Sequence, residues 1–222
     1  MIPAWLSDQV TIGTQGDTMM NANPLKTLET FGQSLWLDYI RRDLVTSGQL
    51  RRLIEEDGLQ GMTSNPTIFE KAIVDSQEYD QDIRAMALEG KGVNAIYEAF
   101  SQRDVQSAAD MFRSVYDKTA GNDGCVSLEV NPHLAHDKKG TVEEARRLWK
   151  TLARPNVLIK VPATTEGLPA IQTLISEGIN VNVTLLFGLP RYRQVAEAYI
   201  AGLAARTSGD LHFIAFSEPK SF

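Results

Sequence analysis

The sequence predicts an α/β protein of the TIM-type (β/α)8 barrel class, and three observations lead there. Apolar strand-like runs alternate with capped helical stretches, which means a parallel sheet. Within those strands the two-residue period separates an apolar face from a small polar set. The polar set gathers toward the C-terminal ends of the strands. A doubly wound sheet carries helices on both faces and accommodates such a polar face poorly, whereas a barrel builds its active site from those strand ends.

The elements follow in order. "NANPLKTLETFG" (21–32) supplies a helix with Asn23 as N-cap, Pro24 at the first helical position and Gly32 at the end. "SLWLDYI" (34–40) is the first strand. "SGQLRRLIEEDG" (47–58) is a helix capped by Thr46 or Ser47 and closed by Gly58. "LQGMTSNPTIF" (59–69) is a strand entering a Ser-Asn-Pro turn. There Ser64 or Asn65 caps the helix that Pro66 opens, and Asn65 is also placed to face a site. Two or three helices then run to about Ala120. "CVSLEV" (125–130) is the third strand. "TVEEARRLWKTLA" (141–153) is a helix whose capping box pairs Thr141 with Glu144 and which stops before Pro155. "NVLIKVPA" (156–163) is the fourth strand and "TEGLPAIQTLISEG" (165–178) the next helix. "INVNVTLLF" (179–187) is the fifth strand, "PRYRQVAEAYIAGLAART" (190–207) the following helix, and "LHFIAF" (211–216) a candidate sixth strand.

Strand period sorts the faces. Val126, Leu128 and Val130 oppose Ser127 and Glu129; Val157, Ile159 and Val161 oppose Leu158 and Lys160. Val181, Val183, Leu185 and Phe187 oppose Asn180, Asn182 and Thr184. The polar face therefore collects Glu129, Lys160, Asn182 and Thr184, with Asp38 near the end of the first strand.

Lys160 is the telling residue. A lone ammonium is costly to bury, yet it sits inside an apolar run. A surface lysine snorkelling from a strand end is the bland alternative, and the flanking Val-Leu-Ile and Val argue against it. An apolar setting disfavours an ammonium relative to the neutral amine, which is the form that attacks a carbonyl to make an imine. Asp38 and Glu129 on the same face read as proton-transfer partners, against the alternative of hydrogen-bonding loop amides. His133 and His136, three apart, lack a third ligand at helical spacing and read as surface residues. Cys125 reads as core. No phosphate-cradling glycine loop is present.

Composition excludes several classes. At 222 residues the chain suits one large domain or two small ones; 43% hydrophobic and 23% charged residues are ordinary for a soluble globular protein. A net charge of −6 and a pI near 5.1 argue against nucleic-acid binding. No apolar run approaches the roughly 20 residues of a membrane span, and "MIPAWLSDQVTIGT" lacks the basic start of a signal peptide. The single cysteine excludes an internal disulfide and fits a reducing compartment, so the cytoplasm is expected. Residues 1–20 read as a flexible N-terminal extension, or else translation starts at Met19 or Met20; the barrel domain spans 21–222. Oligomeric state is left open.

"GMTSNPTIF", "VSLEVNP", "VLIKVPAT" and "GINVNVTLLF" resemble transaldolases in sequence and in order, over about residues 20–209. The opening "NPLKTLETFGQSLWLDYIRRDL" resembles the longer bacterial members, some of which are fused to a phosphoglucose isomerase domain. The resemblance implies an enzyme of the pentose phosphate pathway that moves a dihydroxyacetone unit from sedoheptulose 7-phosphate or fructose 6-phosphate to an aldose phosphate. Lys160 would form the Schiff base and Asp38 would take the C4 hydroxyl proton. Glu129 with Thr184 would position the water of imine formation and hydrolysis, while Asn65 and Asn182 would hold hydroxyls of the retained fragment. Neither metal nor organic cofactor would be required. "LHFIAFSEPKSF" does not match the family's sixth strand, which carries a serine and an arginine for the substrate. The chain is therefore expected to be a truncated, incomplete barrel of five strands plus the candidate sixth, with little activity of its own. Two other readings stand beside this one: a Schiff-base aldolase that releases free dihydroxyacetone, and a non-catalytic remnant.

Overall fold

The computed structural model describes residues 23–206. The extension over 1–20 and the candidate strand 211–216 lie outside the described residues. Five parallel strands, β1 (Leu35–Asp38), β2 (Leu59–Thr63), β3 (Cys125–Glu129), β4 (Val157–Pro162) and β5 (Val181–Thr184), pair in chain order. That order, with helices between successive strands, is the (β/α) pattern of a partial barrel.

Helix α1 (Pro24–Thr30) starts where the sequence places it, with the Asn23 side chain accepting from the Leu25 amide. Three helices link β1 to β2 and β2 onward: α2 (Arg42–Thr46), α3 (Gln49–Asp57) and α4 (Pro66–Val74). A 3-10 turn (Gln77–Tyr79), α5 (Asp80–Leu88) and the long α6 (Val93–Lys118) lead into β3. After β3 come a second 3-10 turn (Pro132–Leu134) and α7 (Lys138–Leu152); α8 (Gly167–Ser176) follows β4 and α9 (Leu189–Ala205) follows β5. No described helix is long and apolar enough to cross a membrane.

The apolar face packs as the strand period requires. Val126, Val157, Ile159 and Val161 are fully buried beneath Val105, Phe112, Leu148, Ile171 and Leu174 of the helices. A fully buried aliphatic or aromatic side chain contributes roughly 1.5–3 kcal/mol, so this layer carries the fold.

Three local expectations need correction, and one short helix is unforeseen. Helix α2 is not announced in the sequence, because Arg41 at its N-cap position makes no side-chain cap bond. The N-cap of α3 is Gly48, not Thr46 or Ser47; its φ of 80° turns the chain sharply between the two helices, a conformation glycine adopts without strain. Helix α7 begins a turn earlier than Thr141, because the Asp137 side chain accepts from the Gly140 amide. Thr141 donates instead to the Leu134 carbonyl, so no capping box forms. Strand β5 ends at Thr184, whose carbonyl accepts the last rung from the Ala163 amide. Leu185 then turns with φ of 61°, and Leu185 and Phe187 are exposed instead of extending the apolar face.

Candidate active site

Residues paired across a parallel ladder share a face. Glu129 pairs with Lys160, and Lys160 pairs with Asn182, so three of the expected residues form one row across β3, β4 and β5. The Lys160 ammonium lies 3.5 Å from Glu129 Oε2, and its Nζ donates to the Ser64 carbonyl at 3.4 Å. Both side chains are largely withdrawn from solvent, at 12% and 15% exposure. Each therefore relies on its partner, since breaking a buried pair leaves an uncompensated charge.

Burial pushes the Glu129 carboxyl above its ordinary value of 4.5. The Lys160 charge opposes that shift, and the negative charge of Asp38 adds to it. Asp38 is the last residue of β1, in register with Thr63, and its side chain is exposed. Lys160 is the charged group directly beside Glu129.

Below the row, polar groups tie the strands together. Asn182 Nδ2 donates to Ser127 Oγ at 2.8 Å, and Ser64 Oγ donates to the Ser127 carbonyl at 3.0 Å. Ser64 thus holds β2 to β3 with its hydroxyl and Lys160 with its carbonyl. The hydroxyl of Thr63 is buried without a hydrogen-bond partner among the described residues. Further down, the Trp36 ring lies across Gly61. A Cβ at that position would sit 2.4 Å from the indole, so the close approach needs glycine.

Asn65 caps α4, accepting from the Ile68 amide at 3.0 Å, which settles the Ser64-or-Asn65 alternative. It follows Ser64 directly and so stands beside the residue that contacts Lys160. Thr184 pairs with Pro162, two residues beyond Asn182 on the same side of β5. Nothing in the sequence alone assigns Ser64, Ser127, Thr63 or Trp36 to the site. Strand period already put Ser127 on the Glu129 face, and that was the available signal. Tyr97 of α6 is a further unanticipated neighbour: burial first, then the charges of Glu129 and Glu70, raise its phenol to about 12.

The remaining singled-out residues lie elsewhere. His136 Nδ1 is 3.1 Å from Glu166 Oε2 at the surface, and His133 is exposed. Cys125 is buried, and burial raises its thiol to about 12, which makes it an inert core residue.

The sequence profile of the transaldolase/fructose-6-phosphate aldolase family matches residues 35–216. A transaldolase of Saccharopolyspora erythraea is 49% identical over 183 residues, covering 82% of this chain and 49% of that protein. A transaldolase of Thiobacillus denitrificans is 48% identical over 186 residues, covering 84% and 52%. One of Thermobifida fusca is 47% identical over 198 residues, covering 87% and 54%. The chain spans about half the length of the curated relatives it matches.

Proposed function

This chain belongs to the transaldolase/fructose-6-phosphate aldolase family, and on that premise we propose that Lys160 performs the imine chemistry of dihydroxyacetone transfer. The observation that carries the reading is the row Glu129–Lys160–Asn182, with the amine 3.5 Å from a carboxyl inside an otherwise apolar strand.

In this reading the Lys160 amine adds to the C2 carbonyl of a ketose phosphate, sedoheptulose 7-phosphate or fructose 6-phosphate, and water leaves to give the imine. Asp38 removes the proton from the C4 hydroxyl. The C3–C4 bond breaks, its electron pair passes into the protonated imine to give an enamine, and an aldose phosphate departs. The enamine then attacks the aldehyde of the acceptor, and the C4 oxygen regains its proton from Asp38. Hydrolysis of the imine frees the ketose product and the amine. Glu129, protonated more readily than an exposed glutamate, exchanges protons with the water that leaves and re-enters, with Thr184 as its second contact. Asn65 and Asn182 hydrogen-bond the hydroxyls of the retained three-carbon unit. The electron sink is the imine itself, and the chemistry asks for no other group. On this reading the protein works in the pentose phosphate pathway, in the cytoplasm.

The test is transfer of label. With fructose 6-phosphate carrying 13C in carbons 1–3 and erythrose 4-phosphate as acceptor, label appears in sedoheptulose 7-phosphate. Free labelled dihydroxyacetone in its place identifies the aldolase reading, which the family's description also covers.

A further inference from the structure

Asp38 hangs from β1, a strand paired on one side only among the described residues and irregular in register between Leu35 and Trp36. Its carboxylate is exposed, so its placement depends on the backbone that follows it. That backbone is gripped four residues later, within at most about 14 Å of chain.

The grip is a closed ring. The Arg42 amide donates to Tyr79 Oη at 3.1 Å, Tyr79 Oη donates to Asp104 Oδ2 at 2.7 Å, and Arg42 Nε donates to Asp104 Oδ1 at 3.2 Å. The Arg42 guanidinium also bonds Asp82 at 2.9 Å and lies 4.3 Å over the Tyr79 ring and 5.1 Å over Phe100. Tyr79 is fully buried and Asp104 is 3% exposed. A buried cation–carboxylate–phenol cluster is a weak source of net stability, because desolvation offsets the attraction; what such clusters supply best is a fixed register. Here the register fixed is that of the β1–α2 connection against α5 and α6.

We propose that Arg42, Tyr79 and Asp104 are positioning residues for Asp38: the ring locks residues 39–42 so that the carboxylate is held on the sheet face that carries Glu129 and Lys160. The functional half of this inference rests on the reading of Asp38 and Lys160 above; the anchoring half does not.

The test uses the full chain and Tyr79→Phe, which keeps the ring and removes the hydroxyl joining the Arg42 amide to Asp104, with Asp104→Asn as second variant. Hydrogen exchange in a peptide covering residues 39–43 should accelerate about ten-fold, with β3 and β4 unchanged within two-fold. Turnover of fructose 6-phosphate at saturation should fall about ten-fold with half-saturation unchanged within two-fold, and Tyr79→Phe should cost nothing further in an Asp38→Ala background. Unchanged exchange at 39–43 in both variants, acceleration spread equally over β3 and β4, or additive losses in the double variant would overturn the proposal. Failure to trap an imine at Lys160 in the parent counts against the functional reading instead, and the exchange measurement still decides the anchoring.

Discussion

Glu129 and Lys160 are register partners on β3 and β4; their charged ends lie 3.5 Å apart and both side chains are largely withdrawn from solvent. The pairing explains how an apolar strand tolerates an ammonium, and it ties the fold's stability to the chemistry of the site.

The raised Glu129 carboxyl gives a pH dependence with a definite sign. Its folded value lies above the ordinary 4.5, chiefly through burial, so folding favours the protonated form. This contribution is fully present below about pH 4.5 and is lost as pH rises through the raised folded value. Glu129→Gln removes it. In urea unfolding, the stability of the variant relative to the parent should therefore improve from pH 4 to pH 7; a difference independent of pH would dismiss the assignment.

If Asp38 takes the C4 proton, as proposed, imine formation should not depend on it. Asp38→Ala should lower cleavage of fructose 6-phosphate by about 10²–10⁴-fold, the usual range for general acid–base catalysis. Borohydride trapping of dihydroxyacetone should stay within about two-fold of the parent. Equal losses in both measurements would move Asp38 out of that role.

The Asn182–Ser127 bond is buried and ties β5 to β3 across β4. Ser127→Ala leaves the Asn182 amide without its acceptor and should cost about 1–3 kcal/mol of stability, the usual penalty for an unsatisfied buried polar group. Thermal or urea unfolding reads this directly, and an unchanged midpoint would show that Asn182 finds another partner.

Much of this arrangement was legible in the sequence because strand period is a local signal. Alternation in 126–130, 157–161 and 181–184 put Glu129, Lys160 and Asn182 on one face, and the ladder then set them side by side. What stayed hidden depends on partners far along the chain. Helix α2 has no cap of its own and is held through Arg42 by Tyr79 and Asp104, 37 and 62 residues away. Ser64 reaches Ser127 over 63 residues, and no spacing rule anticipates that contact. At α7 two capping patterns competed within five residues, and Asp137 took the amide while Thr141 turned to the Leu134 carbonyl. The over-long fifth strand has a similar origin: "LLF" has the composition of a strand, but Leu185 leaves it in a left-handed turn.

Lys160 is the amine proposed to form the imine, and chemical trapping of that imine tests the assignment at the residue itself. The protein is incubated with fructose 6-phosphate and borohydride, digested, and the reduced adduct is mapped by mass spectrometry. A three-carbon dihydroxyacetone adduct is expected on Lys160 and should be absent from Lys160→Ala. An adduct on Lys71 or Lys150, with Lys160 unmodified, would contradict it.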